Sequence, residues 1–208
     1  MRFGRFFLLT GLQFMAALVL VRLFAPSLFA QESAMPLGVL AWAALFGIPL
    51  SLFEYLYHRY LLHSAVLPFL GSMHAAHSLH HGLTSVKAPI SGNTPTELVT
   101  VKSEYPVEHE HQEEAMEFPF YSVSIFMAIF LVLFGLPAKL LFPETPAILG
   151  ILVGATLYYS AYELWHAVLH LPYDRFWRPA MESRKIGPVV RRVYCFHLMH
   201  HWRPTANL

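Results

Sequence analysis

Four long apolar blocks alternate with polar stretches along the chain. They cover residues 6–21 (FFLLTGLQFMAALVLV), running past Arg22 to about residue 30, then 35–53, 118–142 and 146–170. A helix that spans the hydrocarbon core of a bilayer needs about 20 largely apolar residues. The second and third blocks meet this directly. The fourth does so if its far end, with Glu163, His166 and His170, faces protein rather than lipid. In the first block Arg22 intervenes, and its long side chain can snorkel to an interface. Arg2 and Arg5 ahead of an apolar run also fit a signal peptide. However, LFA before Gln31 puts Leu where a small residue is expected, so a retained helix is the expectation. The pattern predicts an all-α integral membrane fold, with about four transmembrane helices in two hairpins.

Basic residues orient it. Arg2 and Arg5 precede the first block, and Arg59, Lys87 and Lys102 lie between the second and third. Arg175, Arg178, Arg184, Lys185, Arg191, Arg192 and Arg203 follow the fourth, whereas the loops near QESAM and PET carry none. The positive-inside rule then puts both termini and the middle segment in the cytoplasm. The segment 82–117 is polar, holds Pro89, Pro95 and Pro106, and reads as a loop with some helix. The segment 173–196 mixes aromatics with arginines and suits an interfacial position. No internal repeat is visible, and residues 1–208 read as one membrane-embedded domain.

Composition agrees. Hydrophobic residues make up 56% of the chain and charged residues 13%, against about 25% charged in an ordinary soluble domain. Mean hydropathy is +0.47. A net charge of +1 gives no sign of a nucleic-acid partner. The single cysteine, Cys195, rules out an intramolecular disulfide and reads as a small buried residue.

The candidate chemistry lies in the histidines. Ten of the 13 fall in four spaced groups. His58 and His63 form H-x4-H in HRYLLH, and His77, His80 and His81 form H-x2-H-H in HSLHH. His166 and His170 form H-x3-H in HAVLH, and His197, His200 and His201 form H-x2-H-H again in HLMHH. Residues three and four apart share a helix face, so each triplet is expected to point one way. His58 and His63 would sit about 140° apart on an ideal α-helix, so they must straddle a site or need a local break. Imidazole is the commonest metal ligand. Ten donors are too many for one ion. Shared between two ions they give about five each, more than tetrahedral zinc accepts, and five nitrogens leave an open position on octahedral iron. Glu54, four residues before His58, and Glu163, three before His166, are placed to fix an imidazole tautomer. His74 is left outside the ligand set, and His109 and His111 read as part of a solvated acidic loop.

In this order the four motifs resemble the fatty acid hydroxylase superfamily, which includes sterol desaturases and sphingolipid hydroxylases. The resemblance covers roughly residues 50–203. It implies an integral membrane enzyme with a histidine-rich helical cap facing the cytosol. The ten histidines would hold two iron ions (Fe2+/Fe3+), with O2 as co-substrate, for hydroxylation of a C–H bond in an acyl, sphingoid or sterol chain. Lipid desaturation and carotenoid hydroxylation are the nearest alternatives, and a metal transporter or metal-binding membrane protein is a more distant one. The chain ends seven residues after His201, earlier than expected for the family, so a C-terminal tail is expected to be missing. Without a fused cytochrome, electrons must come from a separate ferredoxin-like or cytochrome b5-like donor and its reductase. A bacterial inner membrane is favoured over the endoplasmic reticulum.

Overall fold

The computed structural model describes residues 3–64, 67–68, 71–84, 86 and 118–202. Among these, every regular element is helical. In chain order they are α1 (Phe3–Phe24), α2 (Pro26–Ser33), α3 (Pro36–Leu56), α4 (Gly71–Leu83), α5 (Ser122–Phe130), α6 (Leu136–Leu141), α7 (Ala147–Leu169), α8 (Arg178–Glu182) and α9 (Gly187–Trp202). Three π-helical segments join them: Tyr57–Leu62, Leu131–Gly135 and Tyr173–Trp177.

Among the described residues, four continuous helices are long and apolar enough to cross a membrane: Gly4–Phe24, Pro36–Leu62, Ser122–Leu141 and Ala147–Leu169. The chain is thus a multi-pass membrane protein, as the apolar blocks predict. The first span is shorter than its block. It stops at Phe24, because Pro26 opens a separate helix, α2.

Two of the π segments have a local cause. Pro137 and Pro179 each lie two residues after one of them. A proline ring clashes with the carbonyl four residues back and supplies no N–H, so the preceding turn widens. The segment Tyr57–Leu62 contains no proline and has none within five residues of either end.

The chain divides into two compact units, Met1–Glu54 with Pro119–Glu163, and Tyr55–Phe118 with Leu164–Leu208. The first is a bundle of the spans. Phe53 of α3 meets Phe130 of α5 edge-on, with ring centroids 4.9 Å apart. Tyr159 of α7 contacts Phe126 at 6.0 Å and Phe6 of α1 at 5.7 Å. Helices α3 and α7 approach closely through glycine. A Cβ on Gly150 would collide with Cβ of Trp42, and one on Gly154 would lie 3.0 Å from the Ala43 carbonyl oxygen. Small residues permit such approach where apolar lipid offers little drive for helix association. The outward residues stay apolar, among them Leu23, Leu37, Ile48 and Leu140, all exposed.

This unit also buries a carboxylate. Glu32 is 0% exposed. It pairs with Lys139 Nζ at 2.9 Å and accepts hydrogen bonds from the Leu149 and Ile148 N–H groups at 2.7 and 3.4 Å, in the first turn of α7. Lys139 also donates to the Thr145 carbonyl at 2.9 Å. The end of the third span therefore carries one lysine that the loop count overlooks, and its charge is matched internally.

The second unit packs around Leu169, Trp177, Tyr194, Cys195 and Leu198. Trp177 stacks on Tyr194 with centroids 4.4 Å apart and planes 15° from parallel. Cys195 is buried and free, as expected. This core lies beneath one face of α9 and leaves the rest of the helix to present histidines.

Candidate metal centre

All ten histidines of the four motifs belong to the second unit, although they span residues 58–201 of the sequence. They converge in two groups. His58, His63, His77, His81 and His200 place one ring nitrogen each within 4.8 Å of one another. His80, His166 and His170 form a triad, and His170, His197 and His201 form a second that shares His170. The rings of His80 and His201 close this set, with centroids 4.8 Å apart. Each group thus gathers five imidazoles.

The inward atoms are Nε2. In the first group His77 lies 3.1 Å from His58, 3.3 Å from His63 and 3.1 Å from His81, and His81 lies 3.0 Å from His200. In the second the chain runs His80–His166 at 3.2 Å, His166–His170 at 3.3 Å, His170–His197 at 2.9 Å and His197–His201 at 3.1 Å. A neutral imidazole carries one N–H. The His77 nitrogen has three close nitrogen neighbours and only one proton or one lone pair to offer them, so the three contacts cannot all be good hydrogen bonds. A cation between them removes that conflict.

The spacing has the right size for this. With metal–nitrogen distances of about 2.1 Å, adjacent vertices of an octahedron are ~3.0 Å apart and those of a tetrahedron ~3.4 Å. The close nitrogen pairs, at 2.9 to 3.3 Å, are of the size that ligands of one ion require. Five donors also exceed the four of a closed zinc site. The residues present therefore fit a metal ion in each group.

Burial sets the charge state. It pushes the His63 imidazole down to about 4 and the His81 imidazole down to about 3, with neighbouring histidines adding to the effect. Burial, reinforced by nearby imidazoles, also holds His77, His80, His170, His197, His200 and His201 well below the usual imidazole range. Neutral imidazole is the form that binds metal.

Local backbone explains the pairings. His166 and His170 are one α-turn apart, and the His170 N–H donates to the His166 carbonyl at 3.3 Å. His58 and His63 are brought together by the π turn that starts at Tyr57. Its hydrogen bonds link residues five apart, so His63 lies one turn beyond His58, with rings 5.4 Å apart and 15° from parallel. This is the local break that the H-x4-H spacing requires.

The triplets behave differently from expectation. Neither points one way. Helix α4 gives His77 and His81 to the first group and His80 to the second, whereas α9 gives His197 and His201 to the second and His200 to the first. Adjacent helical residues diverge by about 100°, so the H-H pair of each motif straddles the two groups. The motif is a bridge, and the two copies bridge in opposite senses.

Glu163 is 2% exposed and Glu54 half-buried; each is the last residue of the membrane unit before its helix enters the histidine unit. His74 joins neither group, and its Nδ1–H donates instead to the Leu62 carbonyl at 2.7 Å. His109 and His111 lie outside the described residues, as does most of the segment 82–117. No protein-family model, curated protein or solved structure matches the chain.

Proposed function

We propose that this protein is a membrane-bound, O2-dependent di-iron enzyme that hydroxylates a C–H bond of an acyl, sphingoid or sterol chain. The observation that supports it most is the pair of five-histidine groups, joined by two H-x2-H-H bridges at the ends of membrane-spanning helices. Two irons bound there would supply O2 activation and the oxidising power to attack an unactivated C–H bond. His58, His63, His77, His81 and His200 would hold one ion, and His80, His166, His170, His197 and His201 the other. The chain's part is to keep these imidazoles neutral, exclude water by burial, and hold the nitrogens in place. Glu54 and Glu163, one turn from His58 and His166, would accept an imidazole N–H and fix its tautomer. A membrane substrate suits histidines carried on the ends of apolar spans, as His58 is on Pro36–Leu62 and His166 on Ala147–Leu169. Electrons would come from a separate ferredoxin-like or cytochrome b5-like partner with its reductase. The excess of Lys and Arg around the histidines favours a cytoplasmic site, in a bacterial inner membrane.

Desaturation of the same chain uses the same donor set and is the nearest alternative. Metal transport fits less well, since a transporter would bring its ligands to the bilayer midplane on interrupted helices. Lipid mass spectrometry of cells with and without the gene tests the proposal. A product heavier by one oxygen atom is expected. A product lighter by two hydrogens would turn the reading to desaturation, and an unchanged lipid profile would reject both. Replacing His80 or His200 by Ala should abolish the product together with metal loading.

A further inference from the structure

Four histidines lie between residues 74 and 81, and three of them join the two groups. The fourth, His74, donates its Nδ1–H to the carbonyl of Leu62 at 2.7 Å. Leu62 is the last residue of the π turn Tyr57–Leu62 and is 1% exposed. Carbonyls at a helix end have no partner within the helix, and a buried carbonyl left unpaired is costly. The next residue is His63, whose Nε2 sits 3.3 Å from that of His77. Helix α4 therefore holds the end of the π turn through His74 and, one turn later, meets the imidazole which that turn delivers through His77.

We infer that His74 is a positioning residue for the first five-histidine group. Its Nδ1–H fastens the Leu62 carbonyl and so fixes where the widened turn ends and where His63 Nε2 points. This rests on the reading that the group binds a metal ion. The second group takes no ligand from the π turn, and its His166 and His170 lie one ordinary α-turn apart. Loss of the His74 contact should thus weaken one ion and spare the other.

His74 could instead bind metal itself, since a proton on Nδ1 leaves Nε2 bare. Two substitutions separate the roles. In His74→Asn the side-chain amide nitrogen takes the place of Nδ1 and still donates to Leu62, but nothing occupies the Nε2 position. In His74→Leu the volume is kept and the donor lost. Full-length wild type and both variants are purified, loaded with Co2+ without oxygen, and assayed for metal per chain and for the visible Co2+ spectrum. We expect two ions and the same spectrum in wild type and H74N. In H74L we expect one ion weakened about 10- to 100-fold, the range for partners that orient a ligand imidazole, with the remaining spectrum matching that of His63→Ala. Two tight ions in H74L would overturn the positioning role, and loss of an ion in H74N would make His74 a ligand instead. If H74L does not fold, His74→Ala, which also loses the donor, takes its place in the same count. Wild type that fails to bind two ions would overturn the two-metal reading itself.

Discussion

The two units of this chain handle buried polar groups in opposite ways. In the membrane unit Glu32 is fully buried, and every one of its described contacts is with a complementary group: the Lys139 ammonium and two backbone N–H groups at the start of α7. In the histidine unit ten bases point their Nε2 atoms at one another, with separations of 2.9 to 3.3 Å. The first arrangement is complete as built. The second crowds more ring nitrogens together than hydrogen bonds can satisfy and becomes favourable when a cation lies between them. A fold that organises so many like groups around two points is organised for something that is not part of the chain.

The sharpest way to break this contrast is to withhold metal. Histidine-unit stability should depend on it and membrane-unit stability should not. A ligand present at a thousandfold excess over its Kd stabilises the folded state by about 4 kcal/mol per site. Chelated protein should therefore unfold the histidine unit at a much lower temperature, with recovery on adding Fe2+, as followed by hydrogen exchange resolved along the sequence. Acid should act on the same unit. Its buried histidines, such as His63 near 4, titrate below the ordinary value of 6.5. Below pH 6.5 the unfolded chain takes up protons that the folded unit refuses, so stability is full above that pH and falls as the pH drops through about 4. Equal losses of protection in both units, on chelation or in acid, would remove the distinction.

How much of this the sequence carries follows from the kind of interaction involved. The four spans are legible because apolar length is a local property, and all four apolar blocks correspond to spans. The ten histidines are legible as a set because three- and four-residue spacings repeat. Their division between two groups is not legible. It depends on which helix faces α4 and α9 turn toward the ends of α3 and α7, and on a 100° step between adjacent residues such as His80 and His81. H-x4-H does announce a break near His58, but only the backbone shows that break to be a π turn. Lys139 and Glu32 lie 107 residues apart, and neither has a local pattern that points to the other.

The Glu32–Lys139 pair gives the converse test. Lys139→Met removes one charge and leaves Glu32 buried against two N–H groups alone. Breaking a buried pair from one side costs about 3–5 kcal/mol, whereas replacing both members by neutral groups is often close to neutral. In thermal or denaturant unfolding, K139M should lose roughly 3 kcal/mol, and adding Glu32→Gln to it should recover most of that loss. Metal content should stay at the wild-type level throughout. An additive double variant would mean that the two side chains contribute separately and are not a matched pair.

The smallest effect tests how separate the units are. Gly150 faces Trp42 so closely that a Cβ there would collide with the Trp42 Cβ, an atom fixed to the backbone of α3. Gly150→Ala must therefore push α3 and α7 apart, and overpacking of this kind costs about 1–3 kcal/mol. The same α7 continues to Leu169 and carries His166, and His170 follows directly after it. If the membrane unit serves only as a scaffold, G150A should lower the unfolding temperature and leave both ions bound. Selective weakening of the ion held by His166 and His170, with the His58 and His63 ion unchanged, would show that glycine packing inside the bundle also sets the height at which α7 presents its histidines.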